Sequence, residues 1–168
     1  MQIHKVIFIG DAGVGKTAII KAYLGEDVKC TPATIGIEFF PFTRSSKKII
    51  IWDFTGMDWF KDVIIPFIKG AKIVVMVFDL SKASTLLSLI DKWIPQLIEQ
   101  DTARSPTIVL GNKADIKRIP DEFIQKILDS VREKVNFKLY LETSALSGKR
   151  IKFLFDQIFN LLDNNKRK

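Results

Sequence analysis

Apolar residues fall along this chain in two periods, and the alternation of those periods predicts an architecture. The apolar run Ile3–Ile9 predicts a buried strand, and Ile37–Thr43 and Lys48–Asp53 predict two more, joined as a hairpin by the short Ser45-Ser46 turn. Ile73–Asp79 and Thr107–Gly111 are almost wholly apolar, the pattern of parallel strands covered on both faces, and Phe137–Glu142 predicts a last strand. Between the strands the period lengthens. Thr17–Leu24 is compatible with a helix, and Phe123, Ile127 and Val131, then Ile151, Leu154, Phe155, Ile158, Leu161 and Leu162, recur at helical spacing, which makes them core faces. Pro120 ahead of Asp121 and Glu122 marks a helix start. Strands alternating with helices through right-handed crossovers give an α/β fold around a mostly parallel sheet. Ligands of such sheets sit at the carboxyl ends of the strands, where Gly10 and Asp53 both fall.

The first strand runs directly into Gly10-Asp11-Ala12-Gly13-Val14-Gly15-Lys16-Thr17, with Ala18 continuing the helix. This is a G-x-x-x-x-G-K-[ST] phosphate loop in its strand-turn-helix setting. Its glycines let backbone N–H groups turn inward and approach a polyphosphate, and the helix start adds unpaired donors and its dipole. Lys16 would reach the β- and γ-phosphates and the Thr17 hydroxyl would ligate Mg²⁺. A nucleoside triphosphate site is therefore expected.

Composition narrows the setting. The 168 residues suffice for one domain with a sizeable core, and the single cysteine, Cys30, excludes an internal disulfide framework and fits a reducing cytoplasm. No apolar run reaches the length of a membrane span, and the first strand begins too early to leave room for a signal peptide. The net charge of +7 is spread over scattered lysines without an arginine-aromatic cluster, so a solvated basic surface is favoured over a nucleic-acid site.

Four further segments make the triphosphate site specific. Asn112-Lys113-Ala114-Asp115 follows a strand at its carboxyl end. An aspartate there can accept two hydrogen bonds from a base with adjacent N–H groups, as guanine has and adenine lacks. Adenine would leave the carboxylate unpaired, at a cost of roughly 10³-fold or more in discrimination. Ser144-Ala145-Leu146, after the last strand, offers a small residue whose backbone N–H can approach the base. Asp53 suits support of Mg²⁺ through water, the Gly56 N–H can meet a γ-phosphate, and Thr34 offers a second hydroxyl to the metal.

Together these segments resemble the Ras superfamily of small GTPases over essentially the whole chain, and Thr34-Ile35-Gly36-Ile37-Glu38-Phe39, Trp52-Asp53, Lys69-Gly70-Ala71 and Glu142-Thr143-Ser144-Ala145-Leu146 are most similar to its Rab branch. The resemblance implies the P-loop NTPase fold: six strands, mostly parallel with one antiparallel edge strand, flanked by five helices. It also implies a switch cycling between GTP and GDP, with switch regions near 28–37 and 54–70 that meet effectors, exchange factors and GTPase-activating proteins. By position, Asp11 to Ala18 hold phosphates, Thr17, Thr34 and Asp53 serve Mg²⁺, Gly56 senses the γ-phosphate, and Asn112, Lys113, Asp115, Ser144, Ala145 and Leu146 hold guanine. Lys16, Thr34, Gly56 and position 57 form the catalytic set.

Four departures modify that expectation. The family's water-orienting glutamine is replaced by Met57, which cannot donate a hydrogen bond, so intrinsic hydrolysis is expected to be slow. Thr55 replaces a usual alanine; its hydroxyl either lies near the γ-phosphate or, the favoured reading, is solvated and inert. Val28 stands near the place of an aromatic ring over guanine, so exchange is expected to be faster. The chain stops at Lys168 with no cysteine after Cys30, so either it is truncated or it lacks a lipid anchor. Without an anchor, Lys149, Arg150, Lys152, Lys166, Arg167 and Lys168 would give at most weak electrostatic contact with a bilayer. The reading is a cytoplasmic monomer, peripheral at membranes at most, without nucleic-acid partners. A hydrolysis-deficient GTP-bound scaffold and a P-loop phosphotransferase are the alternatives.

Overall fold

The computed structural model describes residues 2–29, 31–44 and 46–164, so Cys30, Ser45 of the expected turn, and Lys166, Arg167 and Lys168 lie outside the described residues. Strands β1 (Ile3–Ile9), β2 (Ile37–Arg44), β3 (Lys47–Phe54), β4 (Ile73–Asp79), β5 (Thr107–Asn112) and β6 (Phe137–Glu142) form one six-stranded sheet in the order β2-β3-β1-β4-β5-β6. Only β2 runs antiparallel, paired with β3 from Ile37 opposite Phe54 to Arg44 opposite Lys47. Pro41 sits in this edge strand, where its missing N–H costs no central ladder bond. The α/β class and the single antiparallel edge strand are as expected from sequence.

The helices are α1 (Lys16–Leu24), the short α2 (Lys61–Ile64) between 3₁₀ turns Asp58–Phe60 and Ile65–Ile68, α3 over 83–99, α4 (Asp121–Lys134) and α5 (Ile151–Asn164). Helix α3 is interrupted by a π turn at Leu89–Trp93, between the α-helical pieces Ala83–Ser88 and Ile94–Glu99. Its cause is Pro95, which has no N–H to donate back and whose ring crowds the preceding turn; widening that turn relieves both.

Alternation along the central strands sends side chains to two cores. Ile7, Ile9, Val74, Met76 and Phe78 meet Leu86, Trp93 and Leu128 on one face, while Val6, Phe8, Val75 and Val77 meet Ile19, Ile20, Phe155 and Ile158 on the other. The expected seam of α4 is displaced by one residue: Ile124, Leu128 and Val131 are fully buried, with Phe123 and Ile127 half-buried beside them. A row of fours such as Phe123, Ile127, Val131 drifts about 40° round the helix per step, whereas mixed steps of four and three follow the axis. On α5 the expected face is buried except Leu161, which is half-buried.

Tyr23 of α1 stacks on Phe155 of α5 with centroids 3.7 Å apart, and Phe42 of β2 packs against both rings at 5.6 Å. Phe155→Ala is predicted to lower the unfolding free energy by about 3–5 kcal/mol, read as a lower urea midpoint with an unchanged slope.

Candidate functional site

The carboxyl ends of β1, β3, β4, β5 and β6, with the start of the antiparallel β2, bring together the loops that carry candidate chemistry. Between β1 and α1 the chain turns through Gly10, Gly13 and Gly15, all at positive φ, and two of these glycines are also sterically required. A Cβ on Gly10 would stand 2.1 Å from the Val77 carbonyl oxygen, and one on Gly15 would stand 2.3 Å from the Asn112 amide nitrogen. The loop curls around Lys16, whose ammonium donates to the Gly10 carbonyl at 2.8 Å and the Asp11 carbonyl at 3.0 Å. Burial pulls the Lys16 pKa down to about 8, although Asp53 and Asp11 pull the other way. A buried lysine held by carbonyls alone is chemically suited to a polyanion.

Beneath the loop three oxygen-bearing side chains converge. The Thr17 hydroxyl donates to Asp53 Oδ2 and lies 2.7 Å from the Thr34 hydroxyl, which is 3.4 Å from the same carboxylate oxygen. Asp53 Oδ1 is buried with no hydrogen-bond partner among the described residues. Burial pushes the Asp53 carboxyl up to about 6, against the charge of Lys16 and the hydrogen bond from Thr17. Two hydroxyls and an under-compensated buried carboxylate are a hard oxygen set of the kind that suits Mg²⁺. No cluster of three or more His, Cys, Asp or Glu side chains offers another metal site among the described residues.

A cavity of about 390 Å³ opens over this floor. It is lined by Ala12, Gly13, Gly15, Lys16, Thr17 and Ala18 from the phosphate loop, by Val28 and Thr34 from the following connection, by Thr55, Gly56 and Met57, and by Lys113. Gly56 rests on the phosphate loop so closely that a Cβ would come within 2.1 Å of the Ala12 nitrogen. Thr55 is buried at 2% exposure, with its hydroxyl accepting the Met57 N–H at 3.3 Å. The solvated, inert threonine expected from sequence is therefore corrected: the tight seat of Gly56 carries its neighbour into the wall.

Two phosphate-loop residues face elsewhere. Val14 is buried in the core and offers its carbonyl to Asn112 Nδ2 at 2.9 Å, and the Asp11 carboxylate points to α3, where it accepts the Trp93 indole N–H at 3.0 Å. Asn112 Oδ1 in turn accepts the Thr143 hydroxyl and the Ala145 N–H, each at 3.3 Å. The Ala145 N–H, expected to approach a base, is thus shared with Asn112. Ser144 donates to Asp115 at 2.5 Å. Asp115 is exposed and so is Leu146, and neither they nor Asn112, Ser144 and Ala145 line the cavity, which Lys113 alone reaches from this side.

Sequence reasoning missed Asp79. It ends β4 at the same edge, is almost fully buried, and pairs with Lys113 Nζ at 2.6 Å while Ser81 donates to it through backbone and hydroxyl. Burial alone would raise its pKa, but Lys113 and Ser81 outweigh burial and hold the carboxyl below its ordinary value. The rule that ligands gather at strand carboxyl ends would have drawn attention to it.

A glycine-rich loop around a buried lysine, at the carboxyl edge of a parallel sheet, defines a P-loop nucleotide-binding protein. The sequence model of the Ras family matches residues 5–164. Among curated relatives, Ras-related protein Rab-7B of Dictyostelium discoideum is 31% identical over 97% of this chain and 84% of its own length. Ras-related protein Rab-25 of Homo sapiens is 28% identical over 93% and 74%, and Ras-related protein YPTC6 of Chlamydomonas reinhardtii 30% identical over 93% and 73%. The chain belongs to the Ras family and is of Rab type, a small GTPase that works as a GTP-binding molecular switch. Family membership implies GTP, GDP and Mg²⁺ as ligands and GTP hydrolysis as the family trait. Among the described residues no helix is long and apolar enough to cross a membrane.

The raised Asp53 pKa makes a signed prediction. Between the ordinary value of 3.8 and about 6 the folded protein holds a proton that the unfolded chain has released. Stability of the nucleotide-free protein therefore falls as pH rises through that window, on the order of 2–3 kcal/mol. Urea titrations at about pH 4.5 and 6.5 should show this loss in the wild type and a smaller one in Asp53→Asn.

Proposed function

We propose that the chain is one G domain that binds GTP and GDP with Mg²⁺ and hydrolyses GTP slowly. The observation that carries this reading is Met57, which lines the cavity beside Gly56 where the family has glutamine. A thioether neither donates to nor firmly holds an attacking water. Thr55 offers no evident substitute, because its hydroxyl is turned to the Met57 backbone.

In this reading Lys16 and the amides of residues 11–18 hold the phosphates. Thr17 and Thr34 would ligate Mg²⁺ with Asp53 supporting it through water, and Gly56 would donate its N–H to the γ-phosphate. The metal so held would supply neutralisation of phosphate charge. Asp115 reads the guanine edge, with Ser144 orienting its carboxylate and a stacked base supplying the burial that the exposed side chain lacks. Asn112 braces the base loops, and Lys113, Ala145 and Leu146 flank the base.

Exposed Ile35, Trp59, Val63 and Phe67 lie in the switch segments near 28–37 and 54–70, which supports docking of effectors, exchange factors and GTPase-activating proteins there. We take the protein to be a cytoplasmic monomer serving vesicle traffic, without a nucleic-acid partner. The exposed Lys149, Arg150 and Lys152 would give a weak electrostatic contact with an anionic bilayer.

A second reading, a GTP-bound scaffold that does not hydrolyse, is favoured by the same wall of the cavity, where neither the Met57 thioether nor the inward-turned Thr55 hydroxyl is free to hold a water. Single-turnover hydrolysis, with and without cell extract, separates the two: any measurable turnover supports the switch, and none in either condition supports the scaffold. Met57→Gln is expected to raise the intrinsic rate by about 10- to 1,000-fold with little change in affinity, and an unchanged rate would refute the role given to this position. Asp115→Asn is expected to transfer preference from guanine to xanthine nucleotides, since an amide donor pairs with the carbonyl that replaces the exocyclic amine. Retained GTP preference in a displacement assay would contradict the base assignment.

A further inference from the structure

Lys92 of α3 lies between two carboxylates from different loops. Its ammonium is 2.5 Å from Asp58, in the first turn of the second switch segment, and 3.5 Å from Asp11 of the phosphate loop. The next residue, Trp93, donates its indole N–H to the same Asp11 oxygen at 3.0 Å, and the ammonium lies 4.9 Å from the Trp93 ring centre. The Lys92 side chain is 18% exposed and that of Asp58 85%, so the ammonium is held in place by its surroundings while the carboxylate meets it from the solvent side. Neighbouring residues on a regular helix point about 100° apart. Here the π turn Leu89–Trp93, imposed by Pro95, lies where two successive side chains reach one carboxylate.

We propose that Lys92 is a positioning residue for GTP hydrolysis: it latches Asp58 to Asp11 and so holds Gly56 and Met57 against the phosphate loop. The inference rests on the assignment of residues 56 and 57 to the γ-phosphate end of the cavity. Lys92, Asp58, Asp11 and Trp93 all lie outside the cavity lining, so the latch acts on residues 56 and 57 through the chain and not by touching the nucleotide with its side chains. The close seat of Gly56 on Ala12 leaves little room for tilting, and a tether two residues further along the chain resists that tilt. The two bridges span 34 and 81 residues of sequence, so the latch ties together segments that the chain alone leaves independent.

The test compares wild type, Lys92→Met, Asp58→Asn, the double variant and Lys92→Arg, all loaded with GDP and then with GTP. Hydrogen exchange is measured across residues 56–64, alongside single-turnover hydrolysis, nucleotide affinity and thermal midpoint. Lys92→Met and Asp58→Asn are each expected to speed exchange of this segment by about 2- to 5-fold in the GTP form, the scale of one surface ion pair, with the GDP form measured as the comparison. The double variant should match the singles, Lys92→Arg should restore most of the protection, and single-turnover hydrolysis should fall by about 2- to 5-fold while affinity and thermal midpoint hold. Unchanged exchange in Lys92→Met, additive effects in the double variant, or a loss explained by a lowered thermal midpoint would overturn the latch. Failure of GTP to bind at all would instead overturn the assignment on which it rests.

Discussion

The Asn112 carboxamide joins the loops at the carboxyl edge of the sheet into one body. Its nitrogen donates to Val14 of the phosphate loop, and its oxygen receives Thr143 and Ala145 from the loop after β6. The side chain is 2% exposed, so an unmade bond here would carry the full penalty of a buried polar group. The same nitrogen lies where a Cβ of residue 15 would fall, which is why the phosphate loop needs glycine at that point. The phosphate loop and the segment after β6 are thereby held at a fixed distance from each other.

Charge is the second constraint. Lys16 and Asp53 are both buried, with pKa values displaced toward neutrality, and one Asp53 oxygen has no partner among the described residues. A protein that folds with such groups at a cavity floor has traded stability for affinity, because ligand charges relieve the penalty. Asp79 shows the contrast. It is equally buried but paired with Lys113 and Ser81, so its carboxyl stays ionised and serves to fix Lys113 beside the cavity.

Much of this was legible in the sequence because backbone geometry leaves few residue choices. The apolar runs located all six strands to within a residue or so, and the glycines and hydroxyls of the phosphate loop, Thr34 and Asp53 converge as their spacing implied. What stayed hidden depends on tertiary approach. Lys92 meets Asp58 and Asp11 only because α3 packs across the phosphate loop, and no local pattern encodes pairs so distant in sequence. The burial of Thr55 follows from how Gly56 seats, and the displaced seam of α4 from how the helix lies on the sheet. The segments read as base loops do meet through Asn112 and Ser144, yet Asp115 and Leu146 are exposed, a feature that residue identity does not carry.

Base selectivity tests the account most directly, because it requires the phosphate loop, the Asn112 brace and Asp115 to act together. Equilibrium competition of GTP and ATP against a bound fluorescent guanine nucleotide, in Mg²⁺, reads it in one titration. The account predicts that GTP competes at least roughly 10³-fold better than ATP. ATP competing within about tenfold of GTP would contradict it.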